Sequence, residues 1–258
     1  MSAQWQYAGS YNNLSNTAAN KKGSIHDDGP ARKLGFKGAF VPGSVVGACA
    51  MASIMSRFGT GWFDGGWYDL NFVSPVYTSD EVAATGHEVE ASTMECSVVD
   101  KVGRLCCAGQ AGLGTEIPWS RGPGDESIFP RAKVGTEFNE MTFSIEPLDV
   151  QPLLDASCET AEVWQKYIHP EHLMPIALRI CDFELTPFEG VRPPGMWAQH
   201  ALVQYKPLPF GKYRMSEHLA EKGVSGRTNF MNFQFHLFDE SGEEVAVGRH
   251  KCKLIRDE

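Results

Sequence analysis

A few residues in this chain carry the types and spacing that chemistry needs. The run Ser24-Ile25-His26-Asp27-Asp28 sets an imidazole beside two carboxylates. Histidine ionises near neutral pH, which suits it to moving protons. Seventeen residues on, Pro42-Gly43-Ser44 opens a long apolar segment. If that segment is a helix, the Gly43 N–H sits at its positive end, with no side chain between it and an incoming oxygen. Ser44 could add a hydrogen bond. Each has a plainer alternative: a loop histidine at His26, a helix cap at Asp28, simple helix entry at Gly43, and a small polar starter at Ser44. Farther along, His169-Pro170-Glu171-His172 places a carboxylate at the start of another apolar segment. These residues are either exposed capping groups or the lining of a second pocket.

The elements that must position them can be read from pattern. Residues 28–36 fit a short helix capped by Asp28, with Pro30 in the first turn and Gly35 as its stop. Residues 43–59, GSVVGACAMASIMSRFG, are apolar on almost every face. A helix without a polar face must be buried all round. Alternating segments follow: WYDLNFVSPVY, EVAATGHEVEASTMECSVVD and GRLCCAGQAGL, with a turn at Asp100-Lys101-Val102-Gly103. Residues 158–180 carry a helical pattern, and the remainder of the chain reads as strands. His200, His218, His236 and His250 lie on those strand-like segments without metal-ligand spacing and read as surface or packing residues. Arg249 and Lys251 read as a solvated strand end, with contact to a phosphate as the alternative.

The second half repeats the first. Asp100, Gly103 and Gly109 correspond to Asp239, Gly242 and Gly248 at a constant offset, Pro75 to Pro207, and Pro42 to Pro170. Matches in the same order and role point to two fused α+β halves. The expected division is residues 1–115, a linker over 116–134 rich in Pro, Gly and charge, and residues 135–258.

The bulk composition narrows the classes. With 258 residues, 42% of them hydrophobic, the chain can bury a sizeable core. A net charge of −9 without basic runs argues against nucleic-acid binding. The seven cysteines form no C-x-x-C pair and read as buried thiols of a reducing compartment, which implies a cytoplasmic protein without a structural metal. The N-terminus lacks a signal-peptide pattern, and Val41 to Met55 is too short to span a bilayer, so no membrane partner is expected.

A resemblance sharpens this. His26, Asp28, the short helix, Gly35-Phe36 and Gly43 resemble the hydratase signature of MaoC-like proteins, the (R)-specific enoyl-CoA hydratase group. The close match covers about residues 20–50. The resemblance implies a double hotdog: each half an antiparallel sheet wrapped around a buried helix. It also implies addition or removal of water at an acyl thioester, with His26 and Asp28 catalytic and the Gly43 N–H polarising the thioester carbonyl. Phe36, Pro42 and Ser44 would contact the substrate. Coenzyme A enters as part of that substrate, no separate cofactor is implied, and a homodimer is expected. The sequence departs from the signature where Lys21 stands in place of an Asp, Gly23 of an Asn, Ser24 of a Pro and Pro42 of a His. Those departures keep other readings open: a thioesterase using Glu171, an isomerase or cyclase, or a non-catalytic acyl-binding protein.

Overall fold

The computed structural model describes residues 5–19, 24–116, 119, 125, 127–180 and 195–255. The positions of Lys21, Gly23 and Cys181 therefore lie outside the described residues, as does part of the expected linker.

The first half opens with two short strands, β1 (Gln6–Ala8) and β2 (Asn12–Asn13), and a one-and-a-half-turn helix, α1 (Asp28–Lys33). The cap of α1 is Asp27, one residue earlier than expected: its side chain accepts from Gly29 N, and its extended backbone turns the chain into the helix. Gly35 follows the helix with φ of 86°, the left-handed backbone that a side chain would resist. Next comes α2 (Gly43–Phe58), buried along almost its whole length, from Ser44 through Met51 to Ile54. Its small residues let strands approach closely, as an apolar helix in the middle of a fold requires. Four strands wrap it: β3 (Gly66–Phe72), β4 (Glu81–Glu90), β5 (Thr93–Asp100) and β6 (Leu105–Leu113).

The second half is β7 (Met141–Ile145), α3 (Pro147–Ser157), a helix α4 described over 173–180, then β8 (Gly195–Gln204), β9 (Gly211–Ser225), β10 (Thr228–Phe238) and β11 (Glu244–Ile255). The helical pattern expected over 158–180 is broken into two single 3-10 turns, Glu162–Gln165 and Pro170–His172, before α4. The sequence pattern gave no warning of α3, which contains Pro152 and begins at Pro147. A reciprocal cap holds it: Asp149 accepts from the Glu146 backbone while the Glu146 side chain accepts from the third turn position.

All the strands join one antiparallel sheet in the order β1-β4-β5-β6-β3-β8-β11-β10-β9-β7, with β2 beside β4. The two halves are related about the β3–β8 pair: β6 answers to β11, β5 to β10 and β4 to β9. The repeated turns confirm the correspondence at atomic detail. Gly103 N donates to Asp100 O at 2.9 Å, and Gly242 N to Asp239 O at 3.0 Å. Each glycine has positive φ, 80° and 84°. Each aspartate also accepts two further backbone N–H groups, Val102 and Arg104 in one turn and Ser241 and Glu243 in the other. The two central helices begin at matched prolines, Pro42 before α2 and Pro170 before α4. Within the expected linker, Asp125 N donates to Lys222 O, and Ile128 and Ala132 are buried, so these residues pack on the second half. Among the described residues no helix is long and apolar enough to cross a membrane.

Candidate active site

His26 is half-buried and tied down on three sides. Its N–H donates to Ser24 Oγ at 3.2 Å, its carbonyl accepts from Asn16 Nδ2 at 3.0 Å, and its Nδ1 lies 2.7 Å from Phe40 O. A carbonyl only accepts, so Nδ1 carries the proton and any further proton traffic at this ring runs through Nε2. The ring meets Phe40 edge-on at 5.7 Å, and Phe36 packs on Phe40 at 5.1 Å. Asp28 faces another way: Oδ1 accepts from Ala39 N at 2.8 Å, and Oδ2 pairs with the exposed Arg32 at 3.5 Å. Its carboxylate fixes the loop between α1 and α2. Pro42 and Ser44 are buried at the head of α2, and no side chain caps the helix there. At Gly43 a Cβ would lie 3.0 Å from the Phe72 ring. His26 precedes α1 and Gly43 opens α2, with the Phe40 ring against the imidazole and the Phe72 ring against the glycine.

A second group of residues converges from four elements at the junction of the halves. Glu171, in the 3-10 turn that leads into α4, is fully buried. Its Oε2 lies 2.7 Å from Nδ1 of His200, on β8, whose side chain is also wholly enclosed. The contact uses one ring nitrogen and leaves Nε2 facing away from the carboxylate. The carboxylate rests on α2 of the other half: a Cβ at Gly47 would come within 2.5 Å of the Glu171 Cδ. Gly47 lies one helical turn from Gly43. The Tyr68 hydroxyl, from β3, faces the same carboxylate. Burial first and Glu171 second raise its pKa well above the usual phenol value, so it stays protonated. Phe72 and Trp197 meet the His200 ring edge-on at 4.8 and 4.7 Å. Glu171 Oε1 and His200 Nε2 are both buried without a hydrogen-bond partner among the described residues, while the Tyr68 hydroxyl leans on the Glu171 carboxylate. A carboxylate oxygen and an imidazole nitrogen left unpaired in one buried pair mark a place built to receive hydrogen-bonding groups.

The neighbours of this cluster complete the electrostatics. His169 Nδ1 accepts from Glu171 N at 3.2 Å, orienting the turn. Burial, with a smaller contribution from His172, brings the His169 pKa down to about 3, so the ring is neutral. His250, on β11, is the direct cross-strand partner of His200. Its Nε2 lies 2.6 Å from Glu217 Oε1, and both side chains are enclosed. Burial works to lower the His250 pKa, yet the Glu217 carboxylate overrides it and pushes it up to about 10. His200 and His250 are therefore core residues, the packing alternative and not the surface one, and each has a carboxylate partner. Arg249 is likewise no solvated strand end: it is buried, donates to Gln234 Oε1 at 3.0 Å and lies over Trp119.

Two matched halves, two buried central helices and one continuous sheet joined at β3–β8 settle the architecture. The chain has the double-hotdog fold. Along the full length it is similar to a protein assigned as a MaoC domain dehydratase from Chloroflexus aurantiacus, with a TM-score of 0.66 at 11% identity, covering 100% of this chain and 97% of that one. A conserved hypothetical double hotdog from Mycobacterium tuberculosis gives 0.62 at 13% identity, over 98% of this chain and 96% of the other. A protein assigned as an oleoyl thioesterase from Lactobacillus plantarum gives 0.51 at 7% identity, over 99% of each. Neither a scan of protein families nor a search of curated proteins finds a match. Double hotdogs of this kind thus include proteins assigned to dehydration and to thioester hydrolysis, and the chemistry must be argued from this chain's own residues.

Proposed function

We propose that this double hotdog adds water to, or removes it from, an acyl thioester, with the Glu171–His200 pair as the acid/base and the Gly43 N–H as the donor to the thioester oxygen. The observation that carries this reading is the placement of the Glu171 carboxylate against Gly47, one turn from Gly43 on the same helix. It supplies the carboxylate–imidazole pair that Lys21 leaves unfilled in the motif, and it does so from the opposite half.

In the dehydration direction, the helix-end N–H holds the carbonyl oxygen as charge develops there. The His200 Nε2 lone pair takes the Cα proton. Glu171 stabilises the resulting imidazolium through Nδ1–H, and the same ring returns the proton to the departing β-hydroxyl. A C–H bond and a C–O bond break, the Cα–Cβ double bond forms and water leaves. Hydration runs the same steps backwards. Tyr68, protonated, is a donor to the β-oxygen.

His26 is the second candidate for the proton-carrying group. Its support is the Phe40 carbonyl, which fixes the ring with Nδ1 protonated. Thioester hydrolysis is the rival chemistry, supported by the unpaired Glu171 Oε1, which suits a carboxylate that orients water. One set of assays separates the three. Crotonyl-CoA and longer enoyl-CoAs are followed at the enoyl absorbance, and acyl-CoAs by free-thiol release, with the unmodified protein, Glu171→Gln and His26→Ala. Loss of hydration in Glu171→Gln alone supports the proposal, and loss in His26→Ala alone moves the chemistry to the motif. Thiol release abolished by Glu171→Gln, without any hydration, assigns hydrolysis.

A further inference from the structure

Gln204 ends β8 and is fully buried, and neither its amide nitrogen nor its amide oxygen has a hydrogen-bond partner among the described residues. A buried amide left unpaired at both ends is costly, and native folds keep such groups where something else completes them. The strand register shows what lies beside Gln204. Its neighbours across the sheet are Gly66 on β3 and Ala246 on β11, both small, and the Trp62 ring packs over Gly66. Two residues back, Leu202 lies between Tyr68 and Gly248; four back, His200 lies between Leu70 and His250. The pairing is regular from Gln199 to Gln204, so His200, Leu202 and Gln204 share one face of the strand. That face carries His200 Nε2 and the Gln204 amide, both buried and unpaired, with the Tyr68 hydroxyl in the row between. From His200 to Gln204 is about 13 Å of strand.

We propose that Gln204 is a specificity residue that hydrogen-bonds a group able to donate and accept at once, a hydroxyl or an amide, carried by the substrate at a distance from its reacting carbon. An amide with both atoms unpaired is matched by that chemistry and by neither a plain alkyl chain nor a lone acceptor. The inference rests on the reading of Glu171 and His200 as the reacting pair. A hydroxyl or amide of this kind has two sources in an acyl-CoA: the acyl chain itself and the pantetheine arm.

Three substrates distinguish them: trans-2-decenoyl-CoA, its terminally hydroxylated analogue, and the trans-2-decenoyl thioester of N-acetylcysteamine, which lacks most of the arm. Each is assayed with the unmodified protein, Gln204→Leu and, should that variant not fold, Gln204→Met. If the acyl chain carries the group, the unmodified protein prefers the hydroxylated substrate about tenfold in kcat/KM and the variant loses that preference. If the arm carries it beyond the first amide, which N-acetylcysteamine retains, the variant loses about tenfold on both CoA thioesters and keeps its rate on the N-acetylcysteamine thioester. A change of less than about threefold in both ratios overturns the proposal, since a purely structural glutamine alters stability and not the ranking of substrates. Glu171→Gln, run alongside, separates the two levels. Full turnover in that variant, or none by the unmodified protein on any substrate, overturns the functional reading and this inference with it. An inactive Glu171→Gln with unchanged Gln204 ratios overturns this inference alone.

Discussion

The carboxylate of Glu171 rests on the backbone of Gly47, closer than a methyl group would allow. The contact joins the start of one central helix to the body of the other, so the absence of a side chain at Gly47 is a condition for the buried Glu171–His200 pair. Gly47 reads in the sequence as one more small residue of a tightly packed helix. The carboxylate it accommodates is more than a hundred positions away.

Gly47→Ala tests that condition. A Cβ there would sit 2.5 Å from Glu171 Cδ and 2.7 Å from Oε2, so the carboxylate must shift. Alanine favours the helix by roughly 1 kcal/mol over glycine, so unfolding of α2 on propensity grounds is not expected. The expected result is a fall in turnover of about 100-fold or more as the Glu171–His200 geometry is lost, with a far-ultraviolet circular dichroism spectrum that keeps its shape. Gly47→Ala at full activity would show that the pair tolerates displacement.

The two Asp-x-x-Gly turns give a test of the internal symmetry. Asp100 and Asp239 each accept from backbone N–H groups inside their turn, and each pKa is held below the usual carboxylate value, Asp100 chiefly by Arg104 and Asp239 chiefly by Ser241. Replacing either with alanine should lower the urea midpoint, with a larger loss at Asp100, which also pairs with Arg104 at 2.8 Å. The turns lie in different halves, so the double variant should lose close to the sum in urea unfolding.

Stability should fall on both sides of neutral pH, for separate reasons. The folded His169 ring has its pKa lowered to about 3, so folding excludes a proton that the unfolded chain binds. That contribution is complete above the unfolded value of about 6.5 and is lost as the pH falls towards 3. His250 behaves oppositely. With its pKa raised to about 10, the folded chain holds the proton more tightly. Its contribution is complete below about 6.5 and disappears as the pH climbs through 10. Thermal melts across pH 4 to 10 check both. Glu217→Gln should lower the melting temperature at pH 7 and flatten the alkaline fall, leaving the acid limb in place.

Core packing around α2 sets the remaining expectation. Ile54 is fully buried in the cluster that also holds Met51 and Trp62. Ile54→Ala should cost about 2–5 kcal/mol, read as a lower urea midpoint with an unchanged slope.

Much of this fold was legible in the sequence because it depends on local rules. An all-apolar run must be a buried helix, and α2 matches residues 43–58. The Asp-x-x-Gly turns announced themselves by spacing, and the offset between them exposed the duplication. Local rules also failed in instructive places. Asp27 and Asp28 are adjacent and chemically equal as caps, so only the backbone could say that Asp27 caps while Asp28 ties Ala39. Two prolines hid α3, because Pro147 at the first position and the cap at Glu146 offset what Pro152 costs. The Glu171–His200 pair was half-visible: Glu171 drew attention at a helix start, whereas His200 looked like any strand histidine. Its setting comes from the pairing of β8 with β3, which puts Tyr68 and α2 of one half against β8 of the other. No periodicity within a strand encodes that register between halves.

The most direct measurement is single-turnover hydration of trans-2-enoyl-CoA substrates by the unmodified protein, Glu171→Gln and His200→Gln, with folding checked by circular dichroism. The account predicts that both variants fold and that each slows the chemical step by a factor of about 100 to 10,000, with the double variant little slower than either alone because the two residues act as one unit. Hydration at the unmodified rate in either single variant would contradict it.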